Sequence, residues 1–232
     1  MPVKRIGTFS YVGLLRRQSG QHWSEGRVYV TIADGLASCR LFAMDLYSHV
    51  RVLFSILLGL GVSHLLRGLA RIVQHPKEYK VYWVHLVWSL FLFLYLIHFW
   101  WWEFRLRQVT EWTFPRYFFV ALYATLMYML CTLLFPDEMA DYKGFQEYFY
   151  SRKGWIFSFM TLLFVADIGD TLLKGLPYFE SIGPLYFLRI GSWIVLSLIA
   201  IKVNNRTYQA AFAVFALLTE VLFILTAQRT MG

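Results

Sequence analysis

Five ionisable residues fall inside or beside long apolar runs in the second half of the chain: Asp167, Asp170, Lys174, Arg189 and Glu220. Charged groups at membrane depth are expensive, and those that persist line ion paths, proton relays or internal pairs. Asp167 and Glu220 read as a proton or cation site, because one of two carboxyls sharing a low-dielectric site can hold a proton. Asp170, Lys174 and Arg189 read as its charged gate. The competing reading is structural: Asp170 and Arg189 pair as a staple between helices, and Asp167 and Glu220 bond to Ser and Thr neighbours. Asp170 also stands four residues before Lys174, the favourable acid-to-base order on a helix. Gly169 beside it admits a close neighbour.

The histidines form a second set. His64 and His85 lie toward one end of the first two apolar runs, with Arg67 at the His64 level; His49 and His98 lie toward the other. Facing imidazoles on adjacent helices can clasp b-type haem, and the 13 residues from His85 to His98 suit two stacked haems. The alternative is that they hydrogen-bond at the interfaces. No nucleophile with a base partner, no phosphate-cradling glycine loop and no metal-ligand spacing occurs, so an enzymatic reading has no residues to carry it. Cys39 and Cys131 give neither a disulfide framework nor a metal site.

The elements that position these groups are membrane spans. The 232 residues are 58% hydrophobic, 19% aromatic and 16% charged, well outside the range of soluble domains. Six segments have the roughly 20 apolar residues a crossing needs: 52–71, 81–103, 115–135, 154–176, 184–203 and 207–227. Pro76, Pro115, Pro136, Pro177 and Gly183-Pro184 punctuate them, and aromatic residues crowd their ends as an interfacial belt. The expected fold is an all-α bundle of six transmembrane helices. Leu65-Leu66-Arg67-Gly68-Leu69 recurs as Leu172-Leu173-Lys174-Gly175-Leu176 at an offset of 107, which raises the expectation of two inverted three-helix repeats.

Position along each span predicts which groups meet. Asp167 and Glu220 both lie 13 residues into parallel spans, which sets them at one level near the midplane. Asp170, six residues from the end of span four, matches Arg189, five residues into span five, and an Asp170–Arg189 ion pair is expected. Gly59, Gly61, Ser55 and Ser63 give span one a small face for packing, and Tyr123, Thr125, Tyr128 and Thr132 mark a polar stripe on span three.

The net charge is +8, and residues 1–43 hold half of it in six basic and two acidic side chains. That segment reads either as a basic arm on the membrane surface or as an untranslated extension, with Met44 as the start. Counting from Met1, the side holding both termini carries twelve basic residues and the opposite side eight, which puts the termini in the cytoplasm. Counting from Met44 leaves orientation open.

These features point to a multi-pass protein of a bacterial inner membrane that moves a small ion or solute. The runner-up is a non-catalytic scaffold or accessory subunit, whose aromatic spans would meet a partner subunit or a second copy; a haem-bearing electron carrier is the third reading. No cofactor other than haem and no nucleic acid is implied; the lipid bilayer is the surrounding medium.

Overall fold

The computed structural model describes residues 32–77, 80–109 and 111–227, and all regular structure among them is helical. Helix α1 is Ile32–Gln74, α2 Trp83–Trp102, α3 Phe114–Leu134, α4 Phe145–Leu173, α5 Leu176–Ser181, α6 Pro184–Lys202 and α7 Arg206–Ala227. A 3₁₀ segment, Glu103–Gln108, continues α2. Six stretches are long and apolar enough to cross a membrane: Tyr47–Gln74, Trp83–Arg107, Phe114–Leu134, Phe145–Leu173, Pro184–Lys202 and Arg206–Thr226. The chain is a multi-pass, all-α membrane bundle. Of the expected leader, residues 1–31 lie outside the described residues, and the backbone is helical from Ile32.

Span four starts nine residues earlier than hydropathy alone places it, at Phe145. Its first turns carry charges that read as loop, yet each has a helical solution. Glu147 accepts the Lys143 N–H at 2.8 Å, and the Arg152 guanidinium reaches the Tyr142 hydroxyl at 2.9 Å. Lys153 is buried and donates to the Ala200 and Ile201 carbonyls at 3.1 and 2.6 Å, at the electronegative end of α6. Phe145 and Phe149 meanwhile join the core.

Lipid tails are as apolar as leucine, so spans associate through interlocking shape and hydrogen bonds. Helix α2 runs through the interior, packed along α7 and touching α1, α3 and α4; α1 lies on α3, α3 on α4, and α4 on α6. Trp88 of α2 meets Phe157 of α4 at 5.5 Å and Phe212 of α7 at 5.0 Å, both edge to face. Trp193 of α6 meets Phe91 of α2 at 5.2 Å. These quadrupole-matched contacts lock the four helices around one aromatic centre.

The two halves pair differently. Helix α1 packs chiefly on the third span of its half, whereas its counterpart α4 packs on the next span along. The recurring Leu-Leu-basic-Gly-Leu motif also serves two purposes. At Gly68 an added Cβ would come within 2.2 Å of the Phe135 ring. At Gly175 the glycine ends α4 with φ of 114°, a left-handed conformation other residues avoid. Arg67 is exposed, and Lys174 is buried.

Candidate functional site

Asp167 on α4 is held by three phenols from three other helices. Tyr95 of α2 and Tyr123 of α3 donate to Oδ1 at 3.1 and 2.9 Å, and Tyr186 of α6 donates to Oδ2 at 2.7 Å. The Tyr95 and Tyr123 hydroxyls are themselves 2.9 Å apart, and Thr171, one turn along α4, meets the Tyr186 hydroxyl at 2.9 Å. Hydrogen bonds that converge on a carboxylate are charge-assisted and stabilise its negative form. Each phenol has one hydrogen, so the Tyr95–Tyr123–Asp167 triangle has alternate proton arrangements of similar geometry.

Glu220 on α7 is fully buried and binds two partners. Arg189 Nη1 lies 2.6 Å from Oε2, and His98 Nδ1 lies 2.7 Å from Oε1. The expected Asp170–Arg189 pair is therefore replaced by Arg189–Glu220. Depth along a span fixes height but not the face of the helix. The Arg189 guanidinium lies over the rings of Trp193 and Phe223, at 4.6 and 3.7 Å, which turns it toward α7.

Asp170 instead bonds Lys174, four residues on, at 2.5 Å, as the helix spacing suggests. The same ammonium reaches Glu103 Oε1 at 2.7 Å, at the start of the 3₁₀ segment, and ties α4 to the end of α2. Burial opposes the Lys174 charge, but Asp170 and Glu103 outweigh it and hold the ammonium above the ordinary lysine range. Gly169 lets the Phe119 ring of α3 close in, since an added Cβ there would meet it at 2.9 Å.

These groups surround one cavity of about 30 Å³, lined by Asp167, Asp170, Lys174, Tyr186, Arg189 and His98 among others. That is room for about one or two waters. Asp167 lies six residues from the end of α4 and Glu220 seven from the end of α7. At about 1.5 Å per residue they are roughly 9 and 10.5 Å from those helix ends. Asp170 Oδ1, Glu103 Oε2 and His98 Nε2 are buried without a hydrogen-bond partner. Ile182 borders the cavity just after α5. On α5 itself, Tyr178 stacks under Arg105 at 4.8 Å, and burial pushes its phenol up to about 12.

The other histidines are engaged elsewhere. Pro136 prevents α3 from continuing, and the carbonyls at its end need partners. Five in succession receive side-chain donors: Leu133 from Tyr148, Leu134 from His85, Phe135 from His64, and Pro136 and Asp137 from Arg71, at 2.7 to 2.9 Å. His85 is fully buried, stacked on Phe145 at 4.7 Å and edge-on to Phe135 at 4.8 Å. The residues for the haem reading are not paired as a haem needs: Nε2 of His64 and of His85 is spent on a helix end, His98 turns Nδ1 to Glu220, and His49 and Arg67 are exposed.

The structure links Asp170 to Lys174 and Arg189 to Glu220 beside Asp167, whereas sequence position misses Glu103 and the phenols of Tyr95 and Tyr186. Glu103 follows Phe99-Trp100-Trp101-Trp102 and reads as interface; its signal was its level, shared with Lys174. Comparison with protein-family models, with curated proteins and with solved structures finds no match for this chain.

Proposed function

We propose that this membrane protein moves a small ion or solute across an inner membrane, with the buried acidic cavity as its ion-accepting site and both termini in the cytoplasm. One observation carries this reading. Among the described residues, three buried carboxyls, Glu103, Asp170 and Glu220, and the half-buried Asp167 are met by two permanently charged side chains, Lys174 and Arg189. Each uncompensated buried charge costs several kcal/mol, so positive charge must come from exchangeable occupants: protons or a small cation. An occupant that enters and leaves a charged site at one end of a span bundle is what ion-coupled transport requires.

Asp167 is the acceptor in this scheme, because three phenols stabilise its charge and the cavity reaches it. The test is reconstitution of the full chain in liposomes with an internal pH dye, under an imposed pH gradient and a potassium diffusion potential. Protein-dependent proton or cation movement is expected, lost in Asp167→Asn and retained in His64→Gln. Flux that survives Asp167→Asn removes Asp167 from the site. Absence of any flux favours the scaffold or accessory-subunit reading, in which the same ion pairs are helix staples.

A further inference from the structure

The Lys174 ammonium is shared by two carboxyls, 2.7 Å from Glu103 Oε1 and 2.5 Å from Asp170 Oδ2, and all three side chains are at most 4% exposed. One positive charge thus faces two acids. The remaining oxygen of each, Glu103 Oε2 and Asp170 Oδ1, is buried without a partner. Both carboxyls are placed to hydrogen-bond each other when one carries a proton. A proton or a small cation can supply the missing charge, and two features choose between them. The position between the carboxyls that a metal ion takes is already filled by the tethered ammonium. The adjoining cavity, about 30 Å³, is small, with room for one or two waters that can carry a proton.

We propose that Glu103 and Asp170 share one proton and, with Lys174, form a proton-holding site at the termini-side end of the bundle. Its part in coupling rests on the transport reading above, and it makes the coupled ion a proton. Asp167 and Asp170 line the same cavity. A proton that leaves the pair passes to a cavity water, and that water gives one to the Asp167 carboxylate. The charge of the cavity is unchanged, and Lys174 stays an ammonium throughout.

The other groups around the pair are accounted for. Tyr47 of α1 donates to the Glu103 backbone carbonyl at 3.4 Å, and its phenol feels Arg51 and Arg107 as well as Glu103. Tyr123 of α3 and Tyr178 of α5 present phenols, and the Tyr123 hydroxyl is spent on Asp167. Arg105 is spent over the Trp102 and Tyr178 rings, and on α6 and α7 Arg189 is spent on Glu220, which also takes His98 of α2. No further cation among the described residues is paired with Glu103 or Asp170.

Infrared spectroscopy of the full chain in lipid at neutral pH tests this. The expected result is a carbonyl band of a protonated carboxylic acid that shifts in D₂O. Glu103→Gln and Asp170→Asn should each remove the same component of it, because one carboxylate then balances Lys174. Asp167→Asn should leave that component, as should exchange of sodium for potassium. No such band in the unsubstituted protein overturns the proposal without reliance on any variant. A component that survives both substitutions, or that sodium displaces, also overturns it. The band reads a bound proton and not flux: flux without the band sinks this proposal alone, and the band without flux supports it while sinking the transport reading.

Discussion

Arg189 Nη1 and Glu220 Oε2 are 2.6 Å apart, a buried ion pair across the α6–α7 interface. Removing one partner strands the other in low dielectric, which costs about 3–5 kcal/mol, whereas replacing both with apolar residues of similar volume is close to neutral. Glu220→Gln should therefore lower the thermal unfolding midpoint sharply in detergent, and Arg189→Met combined with Glu220→Leu should recover most of the loss. Additive losses in this double-mutant cycle contradict the pairing.

Lys174 predicts a pH dependence of definite sign. Asp170 and Glu103 hold its ammonium above the ordinary range despite burial. A raised folded-state value gives stabilisation that is fully present below the unfolded lysine value, about 10.4, and lost only as pH rises through the folded one. The penalty of Lys174→Met, about 3–5 kcal/mol, should be flat from neutral pH to about 9 and shrink only in stronger alkali. Paired melting curves across pH check this; a gap that closes near neutrality contradicts it.

Three glycines should separate by mechanism. Gly68→Ala drives a methyl within 2.2 Å of the Phe135 ring and should cost about 1–3 kcal/mol by overpacking. Gly175→Ala should cost about 1–2 kcal/mol, because φ of 114° is strained for any side chain. Gly59 has nothing within 4 Å of an added Cβ, so Gly59→Ala should be neutral or raise stability by up to about 1 kcal/mol. Detergent-resistance half-lives rank them, and equal losses at Gly59 and Gly68 refute the packing argument.

His85→Phe leaves the Leu134 carbonyl without its 2.7 Å donor and should cost about 1–3 kcal/mol. His85→Gln, which keeps a donor, should recover part of that. The purified protein should show no Soret absorbance, since Nε2 of His64 and of His85, the pair that would clasp a haem, is committed to the Phe135 and Leu134 carbonyls. A Soret band that vanishes in His85→Phe refutes this assignment.

The bundle and its spans were legible because apolar length and Pro or Gly punctuation act along the chain, one segment at a time. What depth could not supply was azimuth. Arg189 turns toward Glu220 because Trp193 and Phe223 bracket it, and that bracket exists only once α6 and α7 are packed. Glu103 and Tyr186 escaped notice because each sits beside a span end, where polar groups ordinarily meet water. The early start of α4 was hidden by Arg152 and Lys153, whose partners Tyr142 and the α6 carbonyls lie outside the span itself.

The capped end of α3 constrains the order in which the protein can be built. Its carbonyls from Leu134 to Asp137 take their donors from His64 and Arg71 of α1 and His85 of α2, both upstream, and only Leu133 waits for Tyr148 of α4. A chain emerging from the ribosome therefore has, by the time span three enters the bilayer, nearly every group needed to shield that end from hydrocarbon. The first three spans can settle as a unit before the acidic cavity exists, and the costly carboxyls of the later spans enter a membrane that already holds Tyr95, His98, Glu103 and Tyr123 to receive them.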